Sequence, residues 1–414
     1  MTDNIFHWFK KKYPVFLNIS MILLFVDVMV DPTNLIFHVK YVMFGWVLIM
    51  WMPGYFSKKR ILPGYFWFIL LFISFFMPFY ELSIGLINST IHNVPVGKLV
   101  YFNSFFFFVI ILVTVSEKMN LTAMFNYSSL TIVLMTLGLY LILIFNTRMF
   151  GEMYKYFVMD KQVVVYALRD YGKTTLLMIF YKTSPLLVFP LSWYLYKVLI
   201  EKQRKALFVN ILLLVLTSLT LYFSGTRANL ASLVLIVVFY FGYFLFKKSK
   251  IWFVWALALA VLVALFMLPS VAGLLFSKQE ASNAIKFGYL SSYANYFDHH
   301  LLSLLFGQGI GGTFYASGLH RFIDVSELTY IELIRIWGIP LSVIFIGILM
   351  VPLFAELRSG KITHLFIAYL AYLFISGTNP LLLSSTGMLV LVYVFTNTFL
   401  PASGIHETAS GVHA

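Results

Sequence analysis

A short polar turn, Ser224-Gly225-Thr226-Arg227, stands between two apolar stretches that are each about long enough to cross a bilayer. A turn this short holds its arginine at the mouth of a helical hairpin. Arginine is permanently charged, and its planar fork of N–H donors matches a pair of phosphate oxygens. Arg227 is therefore a candidate phosphate ligand at the level of the lipid headgroups. The alternative is an ordinary arginine at a helix end whose charged head reaches toward water.

A second group of candidates opens a later apolar stretch. Glu327, Tyr330, Arg335 and Gly338 lie at i, i+3, i+8 and i+11. This spacing predicts a carboxylate, a phenol and a guanidinium on roughly one helix face. Ionisable groups within a span cost about 2.5–3.5 kcal/mol on insertion scales, so they are usually functional. Glu327 is a candidate base and Arg335 a candidate phosphate ligand. Alternatively, Glu332 and Arg335 neutralise each other as a structural pair.

Other charged residues flank these two groups. Arg169 and Lys173 precede the sixth apolar stretch, where they would hold a second phosphate unless Asp170 pairs with them on a solvated surface. His320 and Arg321 lie about two helical turns upstream of the Glu327 group. His320 is an alternative base there, and Arg321 another phosphate ligand.

No metal site is predicted. Asp298, His299 and His300 are adjacent, but neighbouring histidines point in different directions on a regular element, and no third ligand is suitably spaced. The chain contains no cysteine, which excludes disulfides and thiolate metal ligands. We expect no cofactor.

The composition sets the class of protein that must position these residues. Of the 414 residues, 61% are hydrophobic and only 11% are charged, which predicts an all-α polytopic membrane protein. The net charge of +13 is high enough to suggest nucleic acid. In a membrane protein the same excess is typical of cytoplasmic loops that follow the positive-inside rule, so we expect no nucleic-acid partner.

Hydropathy predicts about twelve membrane spans, at roughly 17–25 apolar residues per crossing. They lie near residues 14–31, 35–52, 62–79, 98–115, 122–146, 174–199, 206–223, 229–246, 251–269, 327–353, 362–377 and 388–400. Clusters such as Lys10–Lys12 and Lys58–Arg60 then fall on one side. The charge distribution therefore predicts cytoplasmic termini at both ends.

Three longer segments would lie on the outer face, near 80–97, 147–173 and 270–326. Loops of this size are usually functional, so the segment between spans nine and ten, 270–326, is predicted to form a lid over a site. Its Gly307–Gly312 run fits G-x-G-x-x-G, but no βαβ unit surrounds it. We expect a tightly turning backbone whose amides approach an anion. Residues 401–414 are predicted to be a disordered cytoplasmic tail, and 1–414 a single integral membrane domain.

The order of several motifs resembles the O-antigen polymerase and ligase superfamily. Ser224–Asn229 opens a span, Phe306–Gly311 and Phe314-Tyr315 lie in a large outer loop, Glu327–Tyr330 precedes Trp337-Gly338, and Asn379–Leu382 precedes Ser384–Gly387. The resemblance covers roughly residues 206–400, and the first half of the chain is similar in hydropathy alone. It implies a GT-C-like membrane fold in the bacterial inner membrane.

The resemblance also implies a reaction. A glycan on undecaprenyl diphosphate would be transferred, without a metal, to the non-reducing end of another lipid-linked repeat unit on the outer face of that membrane. The leaving diphosphate gains negative charge that arginine and lysine would stabilise, and the acceptor hydroxyl needs a base. Tyr315, Tyr330 and Asn379 are the candidates for glycan contacts. A separate chain-length regulator is a further expected partner, beside membrane lipid.

Two other functions stay open. The first is a ligase or another lipid-carrier-dependent glycosyltransferase. Ligases of this superfamily resemble the stretch at residue 327 but open it with histidine, so Glu327 favours a polymerase over a ligase. A flippase or transporter of lipid-linked sugars would line its central spans with charge in both halves of the chain. Here the charge within spans is concentrated in the second half and near one face, which favours a site at one surface.

Overall fold

The structure is a computed structural model that describes residues 2–55, 63–93, 101–117, 119–171, 174–201, 206–252, 254–255, 258, 281–360 and 363–399. Most of the predicted ninth span, 251–269, lies outside the described residues. So do Lys173 and the predicted tail, 401–414.

The described chain is mostly helical. The helices are α1 (Thr2–Val30), α2 (Lys40–Tyr55), α3 (Gly64–Leu71), α4 (Met77–Ile87), α5 (Tyr101–Glu117), α6 (Leu121–Ser128), α7 (Leu130–Phe145), α8 (Thr147–Tyr154), α9 (Val188–Tyr196), α10 (Leu207–Phe223), α11 (Arg227–Lys248), α12 (Ala281–His299), α13 (Leu301–Phe306), α14 (Thr329–Ser359), α15 (His364–Ser376) and α16 (Ser385–Phe399). A short π-helical segment at Phe72–Phe76 joins α3 to α4. Similar π-helical segments at Lys155–Asp160 and Lys197–Glu201 extend α8 and α9. Two antiparallel hairpins interrupt the helices: β1 (Val164–Tyr171) with β2 (Thr174–Tyr181), and β3 (Phe314–Ala316) with β4 (Arg321–Ile323).

Five helical stretches of the described chain are long and apolar enough to cross a membrane: Tyr13–Val30, Gly64–Ile87, Leu121–Phe145, Arg227–Lys248 and Thr329–Ser359. Five other apolar helices have only 10–17 residues. At about 1.5 Å per residue they reach roughly 15–25 Å, less than the hydrocarbon thickness of about 30 Å. The prediction of about twelve spans is therefore wrong. The coarser prediction, a mostly helical multi-pass membrane protein, holds.

The predicted sixth span, 174–199, is also wrong. Its first part is strand β2, which pairs with β1 from Val164↔Tyr181 to Tyr171↔Thr174, and only nine of its later residues form helix α9. Apolar runs of this length suit a strand as well as a helix, and hydropathy cannot tell the two apart. The second predicted outer loop, 147–173, is accordingly helix α8 with its extension and then strand β1 over its described residues. The prediction of an all-α fold is therefore wrong in detail, because two β-hairpins stand among the helices.

Helix α16 lies at the centre of the core. Residues 385–396 are all buried, as expected for a helix that is apolar on every side. Contacts of α5 show which helix ends lie together. Near its start, Asn103 Nδ2 donates to the carbonyl oxygen of Leu383 at 3.0 Å; near its end, Trp51 Nε1 donates to Ser116 Oγ at 2.6 Å.

Residues 281–326 form what we call the roof: α12, α13 and the β3–β4 hairpin. The roof has a small core of its own that includes Tyr289, Tyr293 and Phe314, packed against Leu328 and Ile331 beside the start of α14. The predicted loop 270–326 is therefore an ordered helical and hairpin layer over its described part.

Candidate functional site

Helix α14 is broken at Gly338, where φ is 77° and ψ is 167°. Only glycine adopts this conformation readily. Two residues later, Pro340 has no N–H to donate to the carbonyl of Ile336, its partner four residues back. The break therefore frees backbone carbonyls inside an otherwise regular span.

The glycine run from Gly307 supplies the missing donors. Gln308 N donates to the carbonyl of Arg335 at 2.7 Å, Gly309 N donates to the carbonyl of Ile336 at 3.0 Å, and Ile310 N donates to the carbonyl of Glu81 at 3.2 Å. For these three amides the expected approach to an anion is wrong, because they bind carbonyls of the broken helix and of α4. The run thus joins α4 to α14.

Glycine is required because these backbones nearly touch. A Cβ on Gly307 would lie 2.1 Å from the carbonyl oxygen of Ile336, and one on Gly338 would lie 2.3 Å from the carbonyl oxygen of Leu305. No side chain fits at such distances.

Arg335 is the most connected side chain beside the break. It is 1% exposed, and its guanidinium nitrogens bind Glu332 Oε1 at 2.5 Å and Glu332 Oε2 at 3.2 Å. They also donate to Gln308 Oε1, to the carbonyl of Gly312 at 2.9 Å and to the carbonyl of Asp324 at 2.7 Å. These five bonds match the five N–H donors of arginine. The side chain therefore fastens α14 to the glycine run and to the roof.

Glu332 has a second donor from the roof. The hydroxyl of Tyr293 donates to Glu332 Oε2 and lies 2.5 Å from Ser326 Oγ. Burial, together with the negative charge of Glu332, raises the pKa of the Tyr293 phenol well above its ordinary value, so it remains a donor. Phe314 lies 5.0 Å from the Arg335 guanidinium and covers it.

A third buried ionisable group, Glu81 of α4, faces this pair. The carboxylate is 4% exposed and accepts from Trp337 Nε1 at 3.3 Å. Trp337 immediately precedes the helix break. Glu81 and Trp337 are far apart in sequence, so only the fold brings them together.

A cavity of about 270 Å³ separates these groups. Its wall includes residues from α4, from the glycine run, from the roof, from α14 and from the segment before α16: Glu81, Gly309, Ile310, Gly311, Gly312, Thr313, Asp324, Val325, Ser326, Thr329, Glu332, Leu333, Arg335, Ile336, Pro380, Leu383 and Ser384. Carboxylates and a guanidinium around a concave apolar wall are typical of a binding or catalytic site.

Four predicted site residues are exposed and do not line the cavity. Glu327, His320 and Arg321 are exposed, and the Tyr315 ring is 47% exposed and packs edge-on against Phe322 of the same hairpin. Glu327 lies two residues before Thr329, the first residue of α14. These residues therefore lie outside the cavity, whereas Arg335 lines it.

Two others are used in packing. Tyr330 donates its hydroxyl to the carbonyl of Leu373 at 2.6 Å and faces α15. Asn379 donates to the carbonyl of Ile375 at 3.1 Å, and its own carbonyl accepts from Thr329 at 2.9 Å. Tyr330 and Arg335 thus face different neighbours, because five residues along a helix amount to about 140° of rotation.

Arg227 is the first residue of α11, capped by the Thr226 hydroxyl, which accepts from Asn229 N at 3.3 Å. Its guanidinium is half-buried and donates to Asn283 Oδ1 at 3.0 Å, near the start of α12. Tyr293, which binds Glu332, lies ten residues further along α12, a rise of about 15 Å from Asn283. Arg227 and the ion pair thus bind positions about three helical turns apart on the same helix. Arg169 lies in strand β1.

Glu81, Trp337 and Gln308 are functional candidates that the sequence reasoning did not assign. One signal was available for Glu81, an acidic residue at the end of an apolar span, but the predicted third span stopped at residue 79. Among the described residues, no group of three His, Asp or Glu side chains is placed to hold a metal ion.

No protein-family model, curated protein or solved structure matches this chain.

Proposed function

We propose that this protein is a polysaccharide polymerase, a glycosyltransferase that moves a glycan from undecaprenyl diphosphate to the end of another lipid-linked repeat unit at the outer face of the bacterial inner membrane. The observation that carries the proposal is the roofed cavity at one end of the membrane helices, where Glu81, Glu332 and Arg335 converge. A site at one surface suits a reaction between two lipid-anchored substrates.

The proposed leaving group needs positive charge from outside the cavity wall. As the anomeric bond breaks, the diphosphate gains negative charge, and nearby cations stabilise it. The five donors of Arg335 are already engaged, so we assign it to holding the cavity wall. Arg227 at the head of α11 and the exposed Arg321 on the roof are the arginines that we expect to contact the diphosphate.

One observation favours a second candidate, a transporter or flippase of lipid-linked sugars. Broken membrane helices that carry ionisable residues at the break are a recurring device of transporters, and α14 is such a helix. The two candidates differ in their product: a polymerase lengthens the glycan, and a flippase moves it between leaflets unchanged.

The test uses the full-length purified protein in liposomes with undecaprenyl-diphosphate-linked repeat units, with and without a chelator. We expect a ladder of lengthening lipid-linked glycan that survives chelation. Arg227→Ala should weaken it at least tenfold, whereas Lys248→Ala, at the other end of α11, should not. Leaflet exchange of labelled donor without any ladder would overturn the proposal in favour of a flippase, and transfer only to a different acceptor would indicate a ligase.

A further inference from the structure

We propose that Glu81 is the general base that takes the proton of the acceptor hydroxyl, a role that rests on the proposed function above. The candidates are the acidic side chains in or near the cavity and the histidine on the roof. They differ in position and in how many hydrogen bonds already occupy them, and this difference selects Glu81.

Glu332 is occupied. Its two oxygens accept two bonds from Arg335 and one from Tyr293, and the Arg335 charge neutralises it directly. A carboxylate so bound accepts a further proton poorly, because protonation breaks an ion pair in a buried site. We therefore assign Glu332 a structural role in the cavity wall.

Glu327 and His320 are exposed and do not line the cavity. Asp324 lines it, but the residue is exposed to solvent, and its carbonyl oxygen is bound to Arg335. A base that works inside the cavity must present its oxygen there, at about 2.6–3.2 Å from the hydroxyl.

Glu81 is the candidate that remains. It lines the cavity, it is 4% exposed, and Trp337 is the one side chain of the described residues that donates to its carboxylate. A carboxylate has about four lone-pair directions, so it can accept a further hydrogen bond from a substrate.

The backbone around Glu81 is held firmly. Its carbonyl accepts from Ile310 N at 3.2 Å, and one turn later a Cβ on Gly85 would lie 2.8 Å from the Ile310 side chain. The glycine run that repairs the break in α14 thus also fixes the position of Glu81. The base and the ion pair are set by one element, which is the arrangement that a preorganised site needs.

The step balances. The acceptor hydroxyl oxygen forms a bond to the anomeric carbon while its proton passes to a carboxylate oxygen of Glu81. The bond from the anomeric carbon to the diphosphate oxygen breaks, and undecaprenyl diphosphate leaves with the electron pair. Glu81 then returns the proton to water.

The experiment compares Glu81→Gln with the wild type in the polymerisation assay, after donor binding and thermal stability have been measured for both. Glutamine keeps an oxygen for Trp337 but cannot take a proton. We expect the polymerisation rate to fall by about 10²–10⁴-fold with donor binding retained. The decline of the wild-type rate toward low pH should be absent from the residual activity of the variant.

Two further variants separate catalysis from folding. Trp337→Phe removes the hydrogen bond but keeps the carboxylate, and it should retain the low-pH decline. Glu81→Ala should regain activity on addition of formate, whereas a merely structural residue would not be rescued. An active Glu81→Gln, or a folded Glu81→Ala that formate does not rescue, overturns the assignment of Glu81 while a wild-type ladder still supports the polymerase. No ladder from the wild type overturns both.

Discussion

The buried carboxylates at the two ends of helix α14 have different hydrogen-bond partners. At the far end, Glu356 is 8% exposed and accepts from the Thr363 backbone N–H at 3.0 Å and from the Thr363 hydroxyl at 2.7 Å. At the roofed end, Glu332 is bound by an arginine and a tyrosine, while Glu81 opposite has one tryptophan donor among the described residues.

These partners distinguish a carboxylate with a structural role from one that could take part in a reaction. Glu356 ties the end of one helix to the start of the next, and it does not line the roofed cavity. At the roofed end, the helix is broken, and the cavity beside the break is lined by Glu81, whose carboxylate has one donor among the described residues. Buried polar groups are normally satisfied, so a carboxylate with spare capacity beside a cavity makes the roofed end the candidate functional end.

The largest effect should come from breaking the ion pair. Arg335→Leu leaves Glu332 as an uncompensated buried charge, which we expect to cost about 3–5 kcal/mol of unfolding free energy. Arg335→Leu combined with Glu332→Leu should recover most of that loss. Denaturant unfolding of both variants in detergent measures the free energy of unfolding. Equal losses in the single and double variants would mean that the loss does not come from an unpaired Glu332.

The next effect compares two glycines of the same helix. Gly338→Ala places a Cβ 2.3 Å from a backbone oxygen at a φ of 77°, so we expect a loss of about 3 kcal/mol or more. Gly347→Ala adds a Cβ that would meet no atom within 4 Å beyond the adjacent backbone of its own helix, so it should be neutral or stabilising by about 0.5–1 kcal/mol. Their thermal midpoints give the comparison, and similar midpoints would contradict a break specific to the roofed end.

Tyr293→Phe should cost about 1–1.5 kcal/mol at neutral pH, through loss of the hydrogen bond to Glu332. The folded pKa of Tyr293 is raised above its ordinary value of 10.0, so its contribution is complete below pH 10 and is lost as the pH rises. By pH 11 the difference between wild type and variant should shrink by about 1.4 kcal/mol. A difference that stays constant between pH 8 and pH 11 would show that the phenol is not held in its protonated form.

The smallest effect belongs to the far end. Glu356→Gln keeps one acceptor oxygen for Thr363, so we expect a loss of about 1 kcal/mol and unchanged polymerisation. The same assay that tests Glu81→Gln checks this. A large loss of activity in a stably folded Glu356→Gln would remove the distinction between the two ends.

Local spacing predicted part of the site. Glu332 and Arg335 stand at i and i+3, and the structural pair that this spacing indicates is the one observed. The glycine run was recognised as a tight backbone, but its partners were not, because they lie on α4 and α14. Gly338 and Pro340 stand close enough in sequence to have signalled the break.

The sequence by itself determined the membrane class and the pairing of neighbours on one helix, because hydropathy and helical periodicity act over short distances. Only the tertiary structure decided which apolar runs are full spans, that one of them begins as a strand, and that Glu81 faces Arg335. Those outcomes depend on contacts between residues distant in sequence, which packing selects after each segment has formed.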